Sequence, residues 1–442
     1  MAQKRVHNKH THHKLKKCKS EKIESNTDDN TTVKTEHLYL LNKFKIKEEP
    51  NELENDAKET KYSKNTLSSV CSGILTVKET DIHNMAWRKL SCNSTQLRLD
   101  IVLKCGQSFR WSTPFKNRPQ EYVGVLGSKV WILKQEPEHI LYKTLSKSAV
   151  KQEPTSSFKS PVGEQDQNDE KYLRDYFQLD VDLESLYESW KNVDPVFNDI
   201  SQRFTGVRML RQDPVENIFS FICSSNNNIQ RISGMIDNLC IRYGQEITRI
   251  ASEEGLDSET KVYYTFPTLE SLCAEPQQGI DSMNVEQTLR SLSFGYRAAY
   301  IAKTAKQILA SGGYEYLLSL RLLPYDKAKT ELLKLTGIGP KVADCILLMS
   351  LDKPSSIPVD THMFQIAAKK YLPHLRERKS VTDKVYTEIS DHFRGLYGDY
   401  AGWAHSVLFS ADLRHLQNIE HPSDGQTKHT KTVKRNNSKK KK

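Results

Sequence analysis

What this chain of 442 residues does without narrows its class before any motif is considered. No apolar run approaches the roughly 20 residues that a membrane-spanning helix needs, so an integral helical membrane protein is not expected. The eight cysteines (Cys18, Cys71, Cys92, Cys105, Cys223, Cys240, Cys273 and Cys345) are scattered, with no C-x-x-C pair and no zinc or iron–sulfur spacing. A structural metal and a disulfide framework are therefore not expected, and no signal peptide is evident; reduced thiols in a nuclear or cytosolic protein are the simple reading. The body of the chain also lacks excess positive charge. The total is +10, but residues 1–20 hold seven Lys/Arg and residues 425–442 hold eight, with no acid in either, which leaves the rest at −5. The basic character belongs to the ends, and any polyanion-binding face on the body must be a local patch.

The length allows two or three domains with a sizeable core. Residues 1–84 are polar and poor in apolar periodicity, so disorder is expected there. Lys14, Lys16, Lys17 and Lys19, with Lys434-Arg435 and Lys439–Lys442, read either as nuclear-import signals or as non-specific polyanion-binding tails. A nuclear protein is expected, with a mitochondrial pool left open, although the Lys/His-rich start is unlike a mitochondrial presequence. Alternation over Leu97–Leu103 predicts a strand. Gln107–Trp111, Glu121–Leu126 and Lys129–Leu133 continue it, with a hairpin turn at Leu126–Lys129. Residues 145–169 read as a polar insertion in a loose loop.

After Tyr172 helices dominate. Asp213-Pro214 supplies an N-cap and a first-turn proline. Further helices are predicted over about 229–243, 268–275, 285–292, 297–310, 325–335, 340–351, 361–370, 381–395 and 399–412. The expected fold class is α+β: an antiparallel sheet domain over 85–211, then a mostly helical body. That body comprises 212–232 with 311–414, a second helical domain over 233–310, and a disordered basic tail over 415–442.

The chemistry concentrates in Leu335-Thr336-Gly337-Ile338-Gly339-Pro340-Lys341 and Pro358-Val359-Asp360-Thr361-His362. Gly337 and Gly339 permit a tight hairpin between two helices, and amides at the start of the second helix suit a phosphate. Such a contact positions DNA without reading its sequence. Lys341 stands two residues past the second glycine, and Asp360 follows 19 residues later as a predicted N-cap. An amine near pKa ~10.4 must be held neutral to act as a nucleophile, and a carboxylate beside it can stabilise positive charge on a sugar and move protons. That pair suits cutting a base from deoxyribose and capturing the sugar carbon. A phosphate-binding lysine and a purely structural cap are the alternative. Asn226–Asn228, with Arg231 nearby, read either as side chains that fill a gap in a base stack or as an Asx-rich turn. Tyr296-Arg297 read either as a stacking ring with a base-holding guanidinium or as a buried tyrosine beside a surface arginine.

Taken together, these blocks resemble the eukaryotic 8-oxoguanine DNA glycosylase family of the helix-hairpin-helix superfamily. The resemblance covers about 86–414 and rests on Ser108–Trp111, Val207–Pro214, Phe219–Asn228, Gly295–Arg297, Gly337–Cys345, Pro358–Met363 and Tyr400–Leu413. It implies a TATA-binding-protein-like sheet domain joined to helical domains. It also implies a bifunctional enzyme that removes 8-oxoguanine opposite cytosine through a lysine imine and nicks the abasic site by β-elimination. By resemblance Lys341 is the amine and Asp360 the carboxylate. The Gly106 carbonyl reads the lesion, Cys345 and Phe409 sandwich the extruded base, and Pro358 and His405 complete its pocket. Asn226 fills the vacated stack, Arg231 and Arg297 hold the orphaned cytosine, Tyr296 is the wedge, and Gly337, Gly339 and His362 contact the backbone. His405 stands where the family usually has a glutamine that reads the Watson–Crick edge, and it cannot reproduce that two-pronged amide.

The resemblance implies no cofactor and no metal. The expected partner is double-stranded DNA containing oxidised guanine, bound by a monomer away from membranes. Two rival readings remain: a non-catalytic DNA-damage-binding protein, and an endonuclease III-type pyrimidine-lesion glycosylase. The latter normally carries a four-cysteine iron–sulfur loop near its C-terminus, and no cysteine follows Cys345.

Overall fold

The computed structural model describes residues 76–147, 162–252, 260–275 and 283–417. The expectations for residues 1–75, for most of the insertion (148–161) and for the basic tail from 418 lie outside these. Seven strands are seen in the described residues: β1 (Thr76–Lys78), β2 (Arg88–Ser91), β3 (Glu121–Leu126), β4 (Lys129–Gln135), β5 (His139–Leu145), β6 (Glu246–Ala251) and β7 (Thr260–Tyr264). β2, β5, β4 and β3 form an antiparallel sheet in that order, with Glu121 opposite Lys134 and Leu126 opposite Lys129 across the predicted hairpin. β1, β6 and β7 form a second sheet, in which β1 runs parallel to β6.

Side-chain alternation explains why the four-stranded sheet is buried on both faces. Val123, Val125, Val130 and Ile132 point one way and share a core with Val77, Ile247, Ile250 and Tyr263 of the second sheet. Tyr122, Leu126, Trp131, Leu133, Ile140 and Tyr142 point the other way, onto Leu173, Tyr176 and Phe177. The helix Val162–Tyr176 supplies most of that second cover. Its buried Asp169 accepts from Arg88 at 2.8 Å, Lys129 at 2.5 Å and Thr144 at 3.2 Å, which pins it to three strands.

The structure corrects the sequence reading at several points. Leu97–Leu103 is not a strand: Leu99–Val102 forms a short helix. Leu99, Val102 and Leu103 face the sheet core at helical spacing. The Gln135 side chain takes the place of a ladder, accepting from Leu99 N at 2.8 Å and donating to the Leu97 carbonyl. Gln107–Trp111 is irregular rather than strand, and only Ser112 bridges to Val123. The Trp111 ring lies where a Cβ on Gly124 would be, 2.4 Å away. Residues 76–84, expected to be disordered, form β1 and the helix Glu79–Asn84, with Val77 and Ile82 buried. Within 145–169 the end is helical, beginning at Val162. The helix expected over 268–275 is a single 3-10 turn, Ser271–Cys273.

The helical body shares one continuous core around Phe219, Ile346, Trp403 and Phe393. Its key elements are the helices Pro214–Ser224, Ile229–Tyr243, Arg297–Ala310, Tyr325–Leu333, Pro340–Ser350, Thr361–Ile366, Asp383–Tyr397 and Ala401–Asp412. Among the described residues no helix is long and apolar enough to cross a membrane.

Candidate active site

The hairpin between Tyr325–Leu333 and Pro340–Ser350 is built by its glycines. Gly337 sits at φ +81°, and a Cβ there would come within 2.5 Å of the Tyr300 ring. Thr336 anchors the turn to the helix Arg297–Ala310: its carbonyl accepts from Thr304 Oγ1 at 2.5 Å and its N–H donates to Gln307 at 2.8 Å. Gly339 caps the next helix with open space around its Cα, and no side chain caps that helix. Its first amides are therefore free to meet an anion.

Lys341 is the second residue of that helix and is half-buried. Its amine lies 3.5 Å from Ser224 Oγ and 5.2 Å from the centre of the Phe221 ring. The Ser224 hydroxyl donates to the Phe221 carbonyl at 2.7 Å, leaving its lone pairs to accept from the lysine. Asp360 caps Thr361–Ile366 as predicted, with Oδ1 accepting from Met363 N at 2.9 Å. Gly106 (φ +83°) is held in place by its buried neighbour Gln107. The Gln107 side chain donates to the Arg208 carbonyl and accepts from Leu210 N, both at 2.9 Å, and its carbonyl accepts from Gln212 at 2.9 Å.

These elements converge on one cavity of about 60 Å³, which Lys341, Asp360, Gly106, Cys345, Pro358, His405 and Phe409 all line. The space suits a few waters, not a bicyclic base. The helix Ala401–Asp412 supplies one wall, where His405 and Phe409 stack with centroids 6.4 Å apart and planes at 16°. A larger cavity of about 790 Å³, lined by Arg110, Asp237, Lys261 and Tyr263, lies apart from Lys341.

Burial sets the chemistry of the walls. It pushes the Cys345 thiol up to about 11, against the opposing pull of Lys341, so the sulfur stays protonated at neutral pH. It lowers His405 to about 4, only partly offset by Asp360 and the Pro358 carbonyl. Both ring nitrogens of His405 are buried and neither has a well-formed hydrogen-bond partner. Between pH 6.5 and about 4 the unfolded chain takes up a proton that folded His405 refuses. Its contribution is therefore fully present above that window and is lost as pH falls through it, by roughly 3 kcal/mol at about 1.4 kcal/mol per unit. His405→Gln lacks this term, so its melting temperature relative to the parent should rise between about pH 7.5 and about pH 5. Buried Glu216, raised to about 7, has the opposite sign, being destabilising as pH rises from 4.5 to 7, but it is common to both proteins and cancels. A relative melting temperature that ignores pH would contradict the assignment.

The remaining predicted residues form a second group beside Ser224. Asn226 is exposed in the left-handed region at φ 47°, and Asn228 caps Ile229–Tyr243 through Arg231 N at 3.0 Å. The Arg231 side chain is exposed. Arg297 is buried rather than at the surface, donating to the carbonyls of Ser225 and of Asn226 (3.2 Å), with its guanidinium 4.6 Å from the Tyr296 ring. Tyr296 is 46% exposed rather than buried, and its hydroxyl donates to the Ser225 carbonyl at 3.1 Å. Exposed His362 pairs with Asp412 at 3.1 Å and packs edge-on to Phe409. Sequence reasoning missed Cys105, Phe221, Ser224, Met349, Ser406 and Ser410, which line the cavity or touch Lys341. Phe221 and Ser224 share a helical face at i, i+3, the one signal that pointed to them.

Residues 89–218 match the family described as 8-oxoguanine DNA glycosylase, N-terminal domain. Residues 219–390 match the HhH-GPD superfamily base excision DNA repair protein. The chain is 36% identical to the N-glycosylase/DNA lyase OGG1 of Arabidopsis thaliana, over 74% of this chain and 80% of that protein. It is 35% identical to an N-glycosylase/DNA lyase of Saccharomyces cerevisiae, over 74% and 86% respectively. The solved 8-oxoguanine glycosylase/lyase of Clostridium acetobutylicum, in complex with double-stranded DNA containing cytosine opposite 8-oxoG, aligns with a TM-score of 0.56 at 28% identity. That alignment covers 73% of this chain and 93% of that one. On these matches the chain belongs to the 8-oxoguanine DNA glycosylase family of HhH-GPD base-excision repair proteins.

Proposed function

We propose that this chain excises 8-oxoguanine paired with cytosine from double-stranded DNA and then nicks the abasic strand, with Lys341 as nucleophile. The carrying observation is the single cavity that gathers the Lys341 amine, the Asp360 carboxylate and the Gly106 loop behind a Gly-x-Gly hairpin. The hairpin amides and His362 hold phosphates. Asn226 and Tyr296 occupy the gap left by the extruded base, while Arg231 and Arg297 face the orphaned cytosine. For Arg297 this requires release from the Ser225 and Asn226 carbonyls. The base enters between Cys345 and Phe409, with Pro358 and His405 against its edge.

The Lys341 amine attacks C1′ as the glycosidic bond breaks, and the base leaves with the bonding pair. Asp360 stabilises the positive charge that develops on the sugar. Loss of a proton from the lysine nitrogen and ring opening give the imine, and removal of a C2′ proton expels the 3′ phosphate. No cofactor takes part. The protein acts as a monomer in the nucleus. Discrimination from guanine begins at N7, a donor in the lesion and a lone pair in guanine. One carbonyl at Gly106 distinguishes the two by roughly 1–3 kcal/mol, so extrusion must add to it.

The test is borohydride trapping on an 8-oxoguanine:cytosine duplex: a covalent protein–DNA product is expected, and its absence would refute the imine. Asp360→Asn should slow excision by roughly 100-fold or more. Asparagine still caps the helix, so stability should move by less than about 1 kcal/mol. Equal excision rates in mutant and parent would remove the carboxylate from the chemistry.

A further inference from the structure

We propose that Asp344 is the positioning residue of this site, its carboxylate setting where the Lys341 amine stands relative to the Asp360 carboxylate. The inference rests on the roles given to those two residues above. Asp344 follows Lys341 by one helical turn and is fully buried. A carboxylate taken wholly out of water demands partners for its charge and lone pairs, and Asp344 has four. Oδ1 accepts from Tyr325 OH at 2.7 Å and Ser356 Oγ at 2.8 Å. Oδ2 accepts from Lys329 Nζ at 2.8 Å and Tyr386 OH at 2.5 Å.

The four partners come from three different parts of the chain. Tyr325 and Lys329 lie on the helix that leads into the hairpin, so the carboxylate ties that helix to the one carrying Lys341. Ser356 begins the segment that ends at Asp360, and its hydroxyl also lies 3.0 Å from the Asp344 carbonyl. Tyr386 belongs to the helix Asp383–Tyr397. Its single hydroxyl proton goes to Asp344, at 2.5 Å against 3.3 Å to the Ile357 carbonyl. That leaves the oxygen to accept from Val359 N at 3.3 Å. Val359 immediately precedes Asp360. Two short paths, through Ser356 and through Tyr386, thus join the helix bearing the amine to the segment bearing the catalytic carboxylate.

Asp344 and its four partners do not line the cavity, whereas Cys345, Pro358 and Asp360, their neighbours in sequence, do, so Asp344 acts on the reaction through geometry. A displacement of about 1 Å at reacting groups can cost on the order of 100-fold in rate. Asp344→Asn keeps the shape but turns one acceptor into a donor facing Tyr or Lys donors. Tyr386→Phe and Ser356→Ala remove one link each and bury no unpaired charge.

The experiment is single-turnover excision of 8-oxoguanine by the full chain at saturating enzyme, alongside lesion-duplex affinity and borohydride trapping on a preformed abasic site. The rate constant is independent of the folded fraction as long as folded enzyme saturates the duplex, and active-site titration with excess duplex reports that fraction. Asp344→Asn should lower the rate constant roughly 100-fold and Tyr386→Phe roughly 10-fold, with affinity within about 3-fold and trapping slowed in parallel. If Asp344→Asn does not fold, Tyr386→Phe and Ser356→Ala carry the test. Parental rate constants in both of those, or a rate loss matched by an equal loss of affinity, overturn the proposal. A parent protein that excises the base but is never trapped overturns the role of Lys341 instead.

Discussion

Lys341→Gln should lose base excision and strand nicking together, by roughly 10⁴-fold or more, while still binding the lesion duplex within about 3-fold. Glutamine nearly matches lysine in length, reaches the same space between Phe221 and Ser224, and has no nucleophilic lone pair. Both activities fall because one covalent intermediate serves both. A merely phosphate-binding lysine would give the reverse pattern: weaker DNA binding with rate at saturation preserved. The two outcomes separate in one titration followed by single-turnover kinetics. The protein should remain fully folded, since the amine contacts a hydroxyl at 3.5 Å and a ring face rather than a buried carboxylate. Residual nicking that tracks excision in the glutamine variant would point to another nucleophile.

Gly402→Ala should be strongly destabilising. Gly402 lies in the first turn of Ala401–Asp412, the helix that carries His405 and Phe409. A Cβ there would stand 2.3 Å from the Ser356 carbonyl oxygen, 2.5 Å from Leu348 Cδ1 and 2.7 Å from the Pro354 carbonyl oxygen. Leucine can rotate, but the carbonyls cannot, because Gly402 N–H donates to Pro354 at 2.8 Å and Ser356 is clamped by Asp344. The helix must move away, and overpacking against backbone that cannot give costs about 1–3 kcal/mol. Urea unfolding should show a lower midpoint with an unchanged slope. Excision should slow as well, because the His405–Phe409 wall is displaced from Lys341. A variant as stable as its parent would mean that this close approach carries no energy.

The chemistry of the site was legible because it is local. Gly337, Gly339, Lys341 and Asp360 fall within two short blocks, and capping rules alone place Asp360 at a helix start. Asp213-Pro214 began a helix for the same reason. What could not be read depends on partners distant in sequence. Leu97–Leu103 alternates like a strand, but Gln135, 36 residues from Leu99, supplies the hydrogen bonds that make it a cap and turn. The pairing of β1 with β6 joins segments about 170 residues apart, and a three-residue strand has no pattern of its own to read. Asp344 looks like one more polar residue in an apolar helix, since its four partners lie 12 to 42 residues away. Arg297 was read as a base-contacting or surface cation, and burial against two loop carbonyls could not be inferred from its neighbours.

The parallel pairing of Thr76–Lys78 with Arg249–Ala251 has a practical bearing on how short this protein can be made. A version trimmed to begin at residue 85, where the apolar pattern starts, would take Val77 and Ile82 out of the core shared by the two sheets. It would also turn β6 from a central strand into a bare edge, an invitation to pair with a neighbouring molecule. The strand Thr76–Lys78 is thus a working edge of the second sheet, and a version that begins after it gives up part of the fold.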